Sequence, residues 1–166
     1  MIGMRTLLLL RHAKSDYPGG VADHDRPLAT RGIREAALAG DWLRSVAPAI
    51  DAVLCSTATR TRQTLERTGI DAPVRFVDRI YDATPGIVLD EINTVDDDVR
   101  TLLVIGHEPV MSGLALGLAD DSSDADVVAE IGAKFPTSAV ALLRVSMPWR
   151  ELELGGAQLA QFHVPR

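Results

Sequence analysis

Three places in the chain set a basic or nucleophilic side chain directly behind an apolar run. Leu7 to Ser15 reads LLLLRHAKS, so Arg11, His12, Lys14 and Ser15 follow four leucines without a spacer. Thr101 to Ile105, TLLVI, breaks in the same way into Gly106, His107, Glu108 and Pro109. Ala52 to Cys55 is followed by Ser56 and, further on, Arg60. A guanidinium presents a planar fork of donors that matches an oxyanion, and an imidazole serves as base or nucleophile near neutral pH.

Gathered in one crevice, two arginines and two histidines make a receptor for a tetrahedral dianion. Arg11 and Arg60 would bind phosphoryl oxygens in pairs, a helix starting just before Arg60 would add backbone donors, and Ser15 would add a hydroxyl. His12, kept neutral by the surrounding positive charge, could attack phosphorus while Arg11, Arg60 and His107 neutralise the equatorial oxygens. A dication would be repelled by the guanidiniums, so no metal and no other cofactor is expected. Two other readings use the same residues. A non-catalytic phosphopeptide-binding module would need the arginines but not His12. The stretch CSTATR, Cys55 to Arg60, approaches a cysteine-phosphatase loop, but it is one residue short between Cys and Arg and lacks glycine. Cys55 therefore reads as a buried strand residue.

The elements that must position these groups can be read from the pattern. Unalternating apolar runs at Leu7 to Leu10 and Thr101 to Ile105 predict strands buried on both faces, with Ala52 to Cys55 and Val74 to Val77 beside them. Helices are expected from Thr30, as N-cap, to about Val46, with Ile33, Ala36, Ala37, Gly40, Leu43 and Val46 on one face. Others are expected over Ser56 to Thr68, closed by Gly69, over about Gly86 to Thr94 behind Thr84 and Pro85, from Pro109 to about Leu118, and around Val127 to Lys134. Ala139 to Val145 reads as a strand, and Glu151 to Leu154 with Gln158 to Val164 as a hairpin about Gly155-Gly156. The Asp16 to Pro27 stretch reads as a surface loop with His24 exposed in it. The alternation implies a three-layer α/β/α sandwich on a mostly parallel, doubly wound sheet with an antiparallel edge.

Composition sets the outer bounds. The 166 residues fit one domain, 1–166, and 46% hydrophobic content is ordinary for a globular chain. A single cysteine rules out an internal disulfide framework, and no stretch reaches membrane-spanning length or shows a signal-peptide pattern. A cytoplasmic location is expected. The net charge of −6, with no basic tract, argues against nucleic-acid or anionic-membrane partners. Asp96 to Asp98 and Asp120 to Asp126 read as solvated loops.

LLLLRHAKS, with DRPLATRG, VLCSTATRTRQT and LLVIGHEP, resembles the histidine phosphatase superfamily, and the RHAKS wording and short chain resemble its compact SixA-type branch, the phosphohistidine phosphatases. The likeness extends through KFPTSAVALLRV. It implies a phosphatase in which His12 is the nucleophile, Arg11, Arg60 and His107 form the phosphate pocket, and Arg31, in the PLATRG segment, stands at the pocket rim. The chain departs from the family pattern in three ways. Position 13 is Ala where many members have Gly, and no asparagine follows at the spacing that mutases and small-ester phosphatases often show. The acid that many members place after the third strand is also not evident, Asp82 and Glu108 being the nearest candidates, and that absence bears on substrate. An alkoxide leaving group needs such an acid, whereas imidazole, with a pKa of roughly 6.5, departs without one. The expected substrate is therefore phosphohistidine on a protein, with hydrolysis or mutase chemistry on small phosphate monoesters as the alternative.

Overall fold

In the computed structural model, which describes residues 3–166, eleven helices and strands follow one another in the expected alternation. They are β1 (Arg5–Arg11), α1 (Thr30–Val46), β2 (Ala52–Ser56), α2 (Thr59–Thr68), β3 (Val74–Val77), α3 (Pro85–Ile92), β4 (Thr101–Gly106), α4 (Val110–Leu118), α5 (Ala125–Ala133), β5 (Val140–Val145) and β6 (Ala157–His163). The expectation of one domain over 1–166 includes Met1 and Ile2, which lie outside the described residues. The strands form one six-stranded sheet in the order β3-β2-β4-β1-β5-β6. β3, β2, β4 and β1 run parallel, and β5 runs antiparallel to β1 and to β6. The mostly parallel α/β sandwich with an antiparallel edge is thus present.

The four leucines of β1 divide by parity between two cores, as a strand with helices on both faces requires. Leu7 and Leu9 pack with Leu102, Val104 and residues of α3, α4 and α5, while Leu8 and Leu10 pack with Leu103, Ile105, Val53 and residues of α1 and α2. All four are fully buried. At roughly 1.5–3 kcal/mol for each buried leucine, this one strand carries hydrophobic stabilisation comparable with the net stability of a domain.

Register delivers the chemistry to one edge. Arg11 lies beside Gly106 in the β1–β4 pairing and Cys55 beside Ile105 in the β2–β4 pairing. The residues that follow, His12, Ser56 and His107, therefore leave the sheet together at the carboxyl ends of three adjacent parallel strands.

Four local expectations need correction. α1 buries Ala36, Gly40 and Leu43 of the expected face but adds Gly32, Glu35 and Ala39 to it, whereas Ile33 and Ala37 are exposed. Small residues there allow backbone to approach backbone, so counting apolar bulk shifted part of the expected stripe to the side. A Cβ on Gly32 would stand 2.1 Å from the Lys14 carbonyl oxygen, and one on Gly40 2.1 Å from that of Thr68. Thr30 is the first helical residue of α1 rather than its cap, which is Ala29. α2 begins at Thr59, because Ser56 ends β2 and its hydroxyl accepts from the Ala58 N–H at 3.3 Å in the turn between. Glu151 to Leu154 is not a strand: a 3₁₀ turn spans Trp149–Glu151, and β6 pairs with β5 instead. Elsewhere Thr84 caps α3 ahead of Pro85, Gly69 closes α2 at φ 72°, and Asp124 of the acidic stretch caps α5.

Candidate active site

His12 follows β1 and is 7% exposed. Its Nδ1 lies 2.7 Å from the Ala13 carbonyl oxygen, which can only accept, so Nδ1 carries the proton and Nε2 keeps its lone pair. Burial, the larger effect, together with His107, Arg60 and Arg11, pushes the imidazole down to about 3, against the upward pull of the Ala13 bond. At neutral pH the ring is an uncharged base set among cations.

The backbone that carries this ring is pinned from two sides. The Ala13 N–H donates to Thr64 Oγ1 at 2.9 Å, and that hydroxyl donates to the Arg60 carbonyl at 2.7 Å, which couples the His12 segment to α2. On the other side the Ser138 N–H is shared between the carbonyls of Arg11 and His12, both at 3.1 Å, and Ser138 sits at φ 67°. A non-glycine residue in the left-handed region is strained, and here the strain delivers a donor to the strand end.

His107, following β4, lies against His12 with ring centroids 5.3 Å apart, and its Nε2 is 2.8 Å from Ser56 Oγ. Burial first, then Arg60, pushes its pKa down to about 4. Its Nδ1 is buried and, among the described residues, has no partner. Arg60, in the first turn of α2, is 6% exposed, with Nε likewise unpartnered. Its other donors reach the Asp23 carbonyl at 2.8 Å and Asp23 Oδ2 at 3.1 Å. Arg60 and His107 line a crevice of about 290 Å³ together with Tyr81, Asp82 and Glu108.

Of the residues singled out from sequence, His12, Arg60, His107 and Ser56 come together as expected. Arg11 is close enough for its charge to act on both histidines, but its guanidinium donates to the Phe135 carbonyl at 2.9 Å and lines another crevice, which Arg31 also lines. Ser15 is buried, and its hydroxyl accepts from Arg26 at 2.9 Å. Asp82 and Glu108 both line the His107 crevice, and both Glu108 oxygens accept from Ser112, its N–H at 2.7 Å and its hydroxyl at 2.8 Å. Cys55 is fully buried, which pushes its thiol up to about 12 and disqualifies it as a nucleophile.

Sequence reasoning missed the loop contributions. His24, expected to be exposed, is half-buried, with Nε2 3.0 Å from Thr57 Oγ1 and its ring edge-on to Tyr81. Tyr81 stands edge-on to His107 and donates its hydroxyl to Asp23. The Tyr81 hydrogen bond, then Arg60 and Arg26, hold the Asp23 carboxyl well below the usual carboxylate range, so Asp23 is an anion resting on Arg60. No periodicity announces residues brought together from two loops. Among the described residues, no three His, Cys, Asp or Glu side chains form a group that could hold a metal ion, and no helix is long and apolar enough to cross a membrane.

Comparison with known proteins decides the family. The model of the histidine phosphatase superfamily (branch 1) matches residues 7–88. A protein of Nakamurella multipartitia assigned as a phosphohistidine phosphatase SixA superposes with a TM-score of 0.91 at 40% identity, over 98% of this chain and 97% of that one. The chain belongs to the histidine phosphatase superfamily. An uncharacterised protein of Mycobacterium tuberculosis (strain ATCC 25618 / H37Rv) is 63% identical over 158 residues, 95% of this chain and all of that one. The phosphohistidine phosphatase SixA of Escherichia coli (strain K12) is 29% identical over 142 residues, 81% of this chain and 82% of that one. Within the superfamily, the likeness is to SixA-type members.

Proposed function

We propose that the protein is a metal-independent phosphatase whose His12 takes up the phosphoryl group, and that its substrate is phosphohistidine on a protein. The observation that carries this reading is His12 itself: buried, fixed through Nδ1 to the Ala13 carbonyl, neutral, and flanked by His107, Arg60 and Arg11. In the first step the Nε2 lone pair attacks phosphorus and the P–N bond to the substrate imidazole breaks, the departing ring taking a proton from solvent. Water then attacks the phosphoryl group on His12, releasing phosphate and restoring the free ring. Arg60 and His107 hold charge that spreads over the phosphoryl oxygens in both steps, the role a metal ion plays elsewhere.

Phosphohistidine is favoured because its leaving group needs little acid assistance and both oxygens of Glu108 are engaged by Ser112. Asp82, at the same crevice, favours the second reading, a phosphatase of small monoesters in which that carboxyl protonates an alkoxide. A panel of phosphohistidine protein, p-nitrophenyl phosphate, 3-phosphoglycerate and sugar phosphates separates the two. Phosphohistidine protein and p-nitrophenyl phosphate, each with a good leaving group, are expected to turn over in excess EDTA, while the alkyl esters lag. Faster turnover of the alkyl esters, abolished in Asp82→Asn, would select the second reading.

A further inference from the structure

A second crevice, of about 220 Å³, opens at the residue before His12 and is lined by Arg11, Lys14, Arg31, Lys134, Pro136, Thr137 and Arg166. The chain carries a net charge of −6 and has only two lysines, yet both line this hollow together with three arginines. Like charges converging on an otherwise acidic molecule cost free energy unless something answers them. One carboxylate does so from beneath. Glu35, 1% exposed, meets Arg166 at 3.0 Å through Oε2 and Arg31 at 3.5 Å through Oε1. It anchors two guanidiniums from the side of α1 and leaves the cations in excess. Arg11 adds a buried Nε that has no partner among the described residues.

Arg11 ties this crevice to the site. It directly precedes His12 in the chain, its guanidinium forms part of the basic crevice wall, and its charge bears on both histidines. Whole small ligands fill pockets of roughly 300–1,000 Å³, so a hollow of this size suits one group of a larger ligand. We infer that the crevice of Arg11, Lys14, Arg31, Lys134 and Arg166 is a second anion subsite, holding an anionic group of the substrate other than the phosphoryl group transferred. This rests on the phosphatase reading and narrows its substrate class to molecules with a carboxylate or second phosphate close to the reacting phosphoryl. That group could be an acidic side chain flanking a phosphorylated histidine or an anionic substituent on a small ester.

Two pairs of ligands, each differing by one charge, separate these sources. The first is a phosphohistidine peptide with Asp or with Asn at one flanking position, and the second is 3-phosphoglycerate against glycerol phosphate. Each is measured as a competitor of p-nitrophenyl phosphate turnover and by direct calorimetric titration. The acidic member of one pair should bind about tenfold more tightly, and which pair shows it names the source. Lys134→Gln should shrink that preference about threefold or more, Lys134→Arg should retain it, and Lys14→Gln with Lys134→Gln should nearly erase it. Equal binding within both pairs, or a preference untouched by the double variant, would overturn the subsite. Absent p-nitrophenyl phosphate turnover would instead contradict the phosphatase reading, while calorimetry still reads the subsite.

Discussion

Arg60 and Arg62 are two residues apart on α2 and should differ sharply in consequence. Arg60 is buried beside His107 with an unpartnered Nε, whereas Arg62 is exposed and lies over the Phe76 ring at 5.0 Å. Losing a preorganised donor to a developing phosphoryl charge costs on the order of 10² or more, so Arg60→Ala should drop kcat/KM by at least about that factor. Arg62→Ala should stay within about threefold, as befits an exposed side chain away from the site. Comparable losses in both variants would mean that the α2 register assigned to the site is wrong. At this scale the residues that follow strands were legible in the sequence, since Arg11, His12, Ser56 and His107 each stand where an apolar run breaks. Asp23, His24 and Tyr81 were not, because their role depends on loops folding back onto α2 and β4. Ser138 and Thr64 act by holding backbone, which leaves no chemical signature in the sequence.

Among the elements, β1 and β4 were legible because an unbroken apolar run has few other uses, and α3 because Thr84-Pro85 states its own start. The hairpin expected at Glu151 to Leu154 failed for a physical reason. Glu-Leu-Glu-Leu alternates with the period of a strand, but the Leu152 N–H closes the 3₁₀ turn onto Trp149, and Leu152 is buried while Leu154 is 62% exposed, so the two do not share one packed face. The α1 face was misread in part, since its buried stripe sets Gly and Ala around Glu35 beside the expected Ala36, Gly40 and Leu43. That stripe predicts a contrast between two helical glycines. A Cβ at Gly40 would meet the Thr68 backbone at 2.1 Å, whereas one at Gly132 in α5 meets nothing within 4 Å. Gly40→Ala should destabilise by about 1–3 kcal/mol despite the gain in helix propensity, and Gly132→Ala should stabilise by about 0.5–1 kcal/mol. Chemical denaturation of the two variants reads the difference, and a stabilising Gly40→Ala would contradict the close α1–α2 approach.

For the molecule as a whole, gathering His12 and His107 within a cationic, water-poor site sets a pH dependence of stability. Both imidazoles are pushed below their ordinary value, to about 3 and about 4, while the unfolded chain takes up its protons near 6.5. Between those limits the unfolded state binds more protons, so the contribution is complete above about pH 6.5 and is lost as pH falls toward 4, at up to about 1.4 kcal/mol per pH unit for each histidine. Tm should fall over that window, and His12→Gln should flatten the slope. The site that costs stability in acid is the one assigned the chemistry, and that chemistry is tested most directly by trapping the enzyme during turnover. Brief mixing with labelled substrate followed by denaturation should leave phosphate on His12 through nitrogen, stable to alkali and labile to acid, and absent in His12→Ala. His107→Ala should slow both formation and decay of the adduct without changing its identity, because charge stabilisation serves both steps. An alkali-labile ester, label on Ser56 or Cys55, or turnover with no phosphoenzyme in the wild type and full activity in His12→Ala would contradict the account.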